Sequence, residues 1–528
     1  MSISYIRQPA ACCILASLFL FSANQSAGQS AGQSANYSST DVSSAVNQYR
    51  ADNEKLILND FIELLAMPNV ASNLADMTRN ADFIESLLSA RDFSVKRLQS
   101  GGSPYIFAEL ATPGAIETIL LYAHYDGQPV QAQNWTYPPF TPTLLDRPLQ
   151  EMGRPVDLNS LETPIDPEAR LYARSAGDDK MPIIAILHAL DALKASNIPL
   201  SVNIKLLFDG EEERGSPTLG RVIDENPELF NADLLLFCDA PMHQSRTAQL
   251  VFGVRGGQGL ELTTYGANRP LHSGHYGNWA PNPVMRLAYL LTTMRDESGR
   301  ILIDDFYDQV AKLTETELTA INAMPDVTEQ LKNELSIHTP EGSGMRLEQL
   351  ITLPALNVRG LVAGGVGSEG RNIILATATV SLDMRLVPNQ NPATIRGLVE
   401  EHIQQQGFFI VYDEPSDSIL RSHEKVIKLD WRGTGGSGLR TSMDSAIAQR
   451  LIVIMRQIAP DLILTPSMGG GLPLTDFSSR MDTPIVVLPL ANHDNNQHAE
   501  NENIRIQNLW DAMSVYGVVL SQFGKTQF

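Results

Sequence analysis

SVNIKLLFDGEEERGSP (residues 201–217) joins an apolar run to a crowd of acids. The apolar half reads as a buried strand. The acidic half places Asp209, Glu211, Glu212 and Glu213 within five consecutive positions. Carboxylates packed that closely raise one another's pKa. Either a solvated helix start or bound cations must relieve them. The surrounding chain repeats the pattern: ETILLYAHYD (117–126) and ADLLLFCDA (232–240) are apolar runs ending in His or Asp, and MPIIAILHALDALKA (181–195) reads as a helix between them. Strands alternating with helices predict an α/β fold with a doubly wound, mostly parallel sheet.

The texture changes near Gly253. GVRGGQGLELTTYG (253–266) alternates with period two, and LATATVSLDMRLV (375–387) does so clearly. In the second run Ala376, Ala378, Val380, Leu382, Met384 and Leu386 face one way, with Thr377, Thr379, Ser381, Asp383 and Arg385 opposite. One buried and one wet face is the signature of an antiparallel sheet. Residues 284–336 are mostly helical in pattern. We therefore expect a catalytic domain in two parts, 41–250 and 416–528, interrupted by a smaller α+β domain over 251–415. SAIAQRLIVIMRQIA (445–459) and TPIVVLPL (483–490) resume the helix and strand pattern.

Acidic side chains outnumber basic ones 60 to 39 in the 528 residues, and no basic stripe appears. That excludes a nucleic-acid or anionic-membrane partner. Arg7 precedes the apolar stretch ACCILASLFLFSA (11–23), which has the layout of a signal peptide and is too short to span a bilayer. The signal is expected over 1–28 and a flexible linker, containing the repeat QSAGQSAGQSA (25–35), over 29–40. Removing the signal removes Cys12 and Cys13, leaving Cys238 without a disulfide partner. The mature chain is expected to be soluble and exported, periplasmic or secreted, with no membrane contact after cleavage.

Chemistry-bearing residues gather at the ends of these runs. His124 and Asp126 share a strand face, as where a carboxylate orients a metal-bound imidazole. Asp178 and Asp179 precede a helix, where either could be a cap. Asp239 ends a buried strand, the place where open α/β sheets put their sites. His493 and His498 follow another. Carboxylate and imidazole ligands suit zinc or manganese, and a set with one carboxylate to spare suggests two metals and a general base.

The ordered motifs AHYDGQP, WTYPPF, LYARSAGDDK, FDGEEERGSP, CDA, LHSGHYG, NPV, DMRLVP, GGGLP and HAENENI span most of the mature chain. Together they resemble the zinc-dependent exopeptidase family of carnosinases, glutamate carboxypeptidases, aminoacylases and acetylornithine or succinyl-diaminopimelate deacylases. The resemblance implies two divalent metal ions, zinc first, with manganese or cobalt as alternatives. One metal falls to His124, Asp239 and a bridging Asp178, the other to Asp178, Glu213 and His498. Glu212 takes the place of the general base acting on a metal-bridging water. Asp126 takes that of the residue orienting His124, and the Asp178–Asp179 bond that of a cis peptide. Arg385 matches the arginine that holds a substrate's terminal carboxylate. In dimeric relatives the match to His272 reaches the partner subunit's site, so the inserted domain is expected to be a lid and dimerisation unit. Gly470 and Gly471 would let backbone approach a substrate closely.

The implied activity is that of a dipeptidase or carboxypeptidase, with an N-acyl-amino-acid deacylase as alternative. An inactive binding relative is disfavoured by the complete ligand set and Glu212. The chain departs from the pattern at Ala173 and Ser175, where glycine is usual, and at Asp209, where glutamate is common. His188 is expected to be a packed core residue. His243, His338, His402 and His423 are expected at the surface, and Asp209 and Glu211 behind the site or in solvent.

Overall fold

Four short apolar strands, Asn203–Asp209, Thr118–His124, Leu234–Phe237 and Ile485–Val487, lie side by side and parallel. Their carboxyl ends therefore share one edge. Two antiparallel strands, Tyr105–Leu110 and then Ser94–Leu98, extend the sheet on one side. On the other, Gln249–Val251 runs antiparallel to Ile485–Val487, and Ile463–Thr465 completes eight strands. The computed structural model describes residues 37–99, 101–157 and 163–526. The expected signal peptide and residues 29–36 of the linker lie outside these residues. The linker's last two positions instead open the helix Ser39–Leu65, capped by Ser38.

Both faces of this sheet are apolar. On one, Leu120, Tyr122, Leu207, Leu235 and Phe237 pack with Leu219, Val222 and Phe477. Tyr122 stacks on Phe237 at 4.1 Å. The helices Ser39–Leu65, Lys180–Ala195 and Ile506–Gln522 pack against one another, and the second also against Thr118–His124. No helix among the described residues is long and apolar enough to cross a membrane.

The second sheet has five strands, in the order Ala355–Val362, Thr377–Leu386, Gly256–Tyr265, Val426–Gly436 and Phe409–Val411. The alternation read in Thr377–Leu386 holds: Ala378, Val380, Leu382, Met384 and Leu386 are buried, and the residues between them are not. The helices Pro283–Met294 and Pro392–Gln405 cover that face through Leu287, Leu290, Met294, Ile395, Val399 and Ile403. The expected boundary at 415 needs correction. Val426–Gly436 pairs with Gly256–Tyr265 and is a central strand of this smaller sheet.

A three-stranded arm, Thr143–Leu145, Arg170–Tyr172 and Asn503–Arg505, stands apart from both sheets. Asp178 follows the arm strand Arg170–Tyr172 rather than a strand of the main sheet. The bond after Asp178 is cis, as expected.

Candidate metal centre and active site

His124 ends its strand with no exposed surface, and Asp126 two residues on is equally buried. His124 Nδ1 lies 3.3 Å from Asp126 Oδ1, which leaves Nε2 directed at Asp178 Oδ1, 2.8 Å away. Asp126 has a second task. Its two oxygens accept the backbone N–H groups of Glu212 (3.0 Å) and Glu213 (3.1 Å). One carboxylate thus fixes both the first imidazole and the acidic turn Glu212–Arg214.

The chain brings the expected ligands into two groups, His124 with Asp178 and Asp239, and Asp178 with Glu213 and His498. Within each group the ligand atoms lie within 4.8 Å of one another. His498 Nε2 is 3.1 Å from Asp178 Oδ2 and 3.0 Å from Glu213 Oε2. Asp178 belongs to both groups, one oxygen toward each imidazole. Glu212 belongs to neither, although its Oε2 reaches to 4.0 Å from His124 Nε2.

The electrostatics test whether cations fit. Asp126, Asp178, Glu212, Glu213 and Asp239 crowd around two imidazoles. Burial, then the charge of Asp178, drives the Asp239 carboxyl well above its usual range. Burial, with Asp178, Glu213 and Asp126 opposing His124, pushes Glu212 up to about 7. Hydrogen bonds to Asp178 and Glu213 push His498 up to about 10. Against burial, bonds from His124 and His498 hold Asp178 below the carboxylate range. The site is over-supplied with negative charge that protons only partly offset, and its donors are the nitrogen and oxygen ligands of zinc and manganese. The residues present fit two divalent ions.

Residues 120–522 match the model of peptidase family M20/M25/M40. The chain belongs to this family. Over 421 residues it is 25% identical to the Cys-Gly metallodipeptidase dug1 of Schizosaccharomyces pombe, covering 78% of this chain and 81% of that protein. The beta-Ala-His dipeptidase of Mus musculus is 26% identical over 464 residues, 85% of this chain and 86% of that one. The structure of the M20 family metallo-carboxypeptidase Sso-CP2 from Sulfolobus solfataricus superposes with a TM-score of 0.70 at 28% identity, covering 89% and 99% of the two chains.

Within this M20 site the largest omission from the sequence reading is Glu502. It is fully buried, and its Oε2 accepts Arg174 Nη1 (2.6 Å) and Ser175 N (3.0 Å). Its Oε1 accepts Gly177 N (3.1 Å) and Asp178 N (3.0 Å). Glu502 therefore clamps the backbone that presents the shared aspartate. Arg174 is held in turn over the Trp135 ring at 5.1 Å. Gln128 Nε2 donates to Glu213 Oε2 at 2.8 Å, another contact unseen in the sequence. Asp179 occupies the cap position of its helix without capping it, and accepts His124 N at 3.2 Å instead.

Asp209 and Glu211 are buried, not solvated. Asp209 accepts Tyr122 Oη, Ser216 Oγ and Glu211 N, and Glu211 accepts Tyr105 Oη and Thr218 N. They brace the acidic turn from behind. His188 is buried against Asp60 Oδ2 at 3.0 Å, as expected of a core residue. His402 is also buried, beside Thr293, which corrects its expected surface position. Cys238 is buried and free.

The remaining site candidates have contacts of their own. His272 is exposed; its Nδ1 accepts Gly274 N, and its ring lies 4.5 Å from that of His275. Arg385 Nε donates to Asp383 Oδ2 at 2.8 Å. Gly470 and Gly471 are exposed, and a Cβ at either would meet no chain atom closer than 3.6 Å. What their lack of a side chain keeps clear is open space.

Proposed function

We propose that the chain is an exported dinuclear zinc dipeptidase or carboxypeptidase that cuts a peptide bond next to a free C-terminal carboxylate. One observation carries the reading: Asp178 is shared by two ligand groups, and Glu212 stands beside both as a member of neither. Asp178, His124 and Asp239 would hold one metal, and Asp178, Glu213 and His498 the other. Metals held there would supply Lewis-acid polarisation of the scissile carbonyl and acidification of a water. Glu212 takes the proton of that water and returns it to the leaving amine. Because Glu212 belongs to neither ligand group, its carboxylate is free to make both transfers. Asp126 holds the Glu212 backbone while Arg385 anchors the substrate's carboxylate bidentately.

His272, exposed on the smaller domain, serves the site of a second copy in a homodimer, where it donates to the oxyanion. The dipeptidase names of the relatives support the substrate class. The apolar stretch 11–23 supports export. The test is to assay the zinc-loaded mature protein on free-acid dipeptides, their C-terminal amides and N-acyl amino acids. Preferential cleavage of free-acid dipeptides is expected, and turnover of N-acyl amino acids alone would overturn the assignment.

A further inference from the structure

Arg255 lies between the two sheets, beside a turn of three glycines. Its neighbours Gly253 and Val254 pair with Leu439 and Arg440, and Gly253 O accepts Met468 N at 2.9 Å. That bond pins the start of the turn Gly469–Gly471 to the segment carrying Arg255. A Cβ at Gly469 would sit 3.3 Å from Arg255 Nη2, and one at Gly471 would sit 3.9 Å from Arg385 Nη1. Two guanidinium groups thus abut one small turn.

Their charges are not equivalent. Arg385 is paired with Asp383 at 2.8 Å, so part of its charge is offset. Arg255 is half-buried and donates one long bond, from Nε to Gly469 O at 3.4 Å. It forms no ion pair with a carboxylate among the described residues. Burial and then the neighbouring Arg385 hold its pKa below the usual arginine value, with the charge of Asp383 acting the other way. It also lines a cavity of about 550 Å³, together with Leu350, Ile351, Pro354 and Ala355. A half-buried charge without a counter-ion is costly.

We propose that Arg255 supplies the net positive charge of the carboxylate subsite and so sets the preference for free-acid substrates. Arg385, partly offset by Asp383, remains the bidentate anchor of that carboxylate. This rests on the dipeptidase reading above, and the experiment separates the two. The quantity measured is the ratio of kcat/KM for Ala-Leu to that for Ala-Leu amide, in the metal-loaded protein. Arg255→Gln should lower the ratio roughly tenfold, the value of one charge-assisted hydrogen bond, chiefly through KM. Arg255→Lys, which keeps the charge, should retain most of the ratio. Asp383→Asn should raise it, because the charge of Arg385 is then no longer offset.

Equal losses on acid and amide in Arg255→Gln would mark Arg255 as merely structural and overturn the inference. So would a ratio that falls in Asp383→Asn. If Arg385→Gln lowers the ratio and Arg255→Gln does not, only the role of Arg255 fails. If neither changes it, carboxylate recognition at this turn fails with it. Should neither substrate be cut, calorimetric binding of leucine against leucinamide gives the same comparison. Selective weakening of leucine binding by Arg255→Gln supports the inference, and unchanged leucine binding refutes it.

Discussion

Replacing Glu502 by Gln should uncouple the shared aspartate from its support without altering any ligand. The wild-type carboxylate accepts four hydrogen bonds, two on each oxygen. An amide of the same shape has one oxygen and one NH2, so it can serve only one of the two donor pairs. If the oxygen faces Gly177 and Asp178, the Arg174 guanidinium and Ser175 N–H lose their acceptor in a buried site. Breaking a buried ion pair by removing one partner costs about 3–5 kcal/mol, a large share of the roughly 5–15 kcal/mol that stabilises a folded domain. Burial, with Arg174 and Asp178 acting in opposite senses, pushes Glu502 up to about 7, so its charged form is best sampled above neutral pH. At about pH 8 the variant should melt several degrees lower. It should also bind metal roughly 10–100-fold more weakly, the usual cost of losing a partner behind a ligand. Calorimetric titration of the stripped protein with zinc measures the second effect. Asp494→Asn is the control: it breaks the 2.9 Å fork to Arg170 on the same arm but touches no backbone of Asp178. Wild-type zinc affinity in Glu502→Gln, alongside a lowered melting point, would refute a positioning role.

Metal removal should expose the site's charge imbalance as a pH dependence. Glu212 (about 7) and Asp239 stand above the carboxylate range, and His498 (about 10) and His124 above the imidazole range. All four hold more protons folded than unfolded, so stability falls as pH rises through these values. The metal-free protein should therefore melt at progressively lower temperature from about pH 6 to about pH 9, while the metal-loaded protein changes little; a flat or rising profile in the metal-free form contradicts this. Arg385→Ala should depress kcat/KM strongly for free-acid dipeptides and much less for amidated ones. Mixing Glu212→Ala with His272→Ala should restore activity as subunits exchange, because one site of the heterodimer is then complete. A strictly monomeric protein, or no recovery on mixing, rules out His272 acting on a partner's site.

Much of the fold was legible because local pattern and tertiary role agree. The buried run Leu234–Phe237 and the alternating run Thr377–Leu386 each announce how many of their faces are covered. Strand partnership is a different matter. Val426–Gly436 carries buried Ile427 and Leu429 in alternation, yet nothing local says that its neighbour is Gly256–Tyr265, some 160 residues earlier. The candidate ligands were legible because the motifs that carry them resemble, in order along the chain, those of a known family. Their supports were not. Glu502 looks like one of two acids in HAENENI, and only the packing of Asn503–Arg505 beside Arg170–Tyr172 places it under Asp178. In the sequence Asp209 and Glu211 fit either a place behind the site or solvent, for the same reason: nothing local shows that Tyr122 and Tyr105, from distant strands, converge on them with Ser216 and Thr218.

The most direct test of the central claim is turnover by Glu212→Gln with its metal content measured in the same sample. Glu212 stands outside both ligand groups, so the variant should retain two metals per chain. Loss of the proton acceptor should lower kcat by about 10²–10⁴, the contribution typical of general base catalysis. Near-normal kcat in a variant holding both metals would contradict the assignment of Glu212, and loss of a metal would make it a ligand rather than the base.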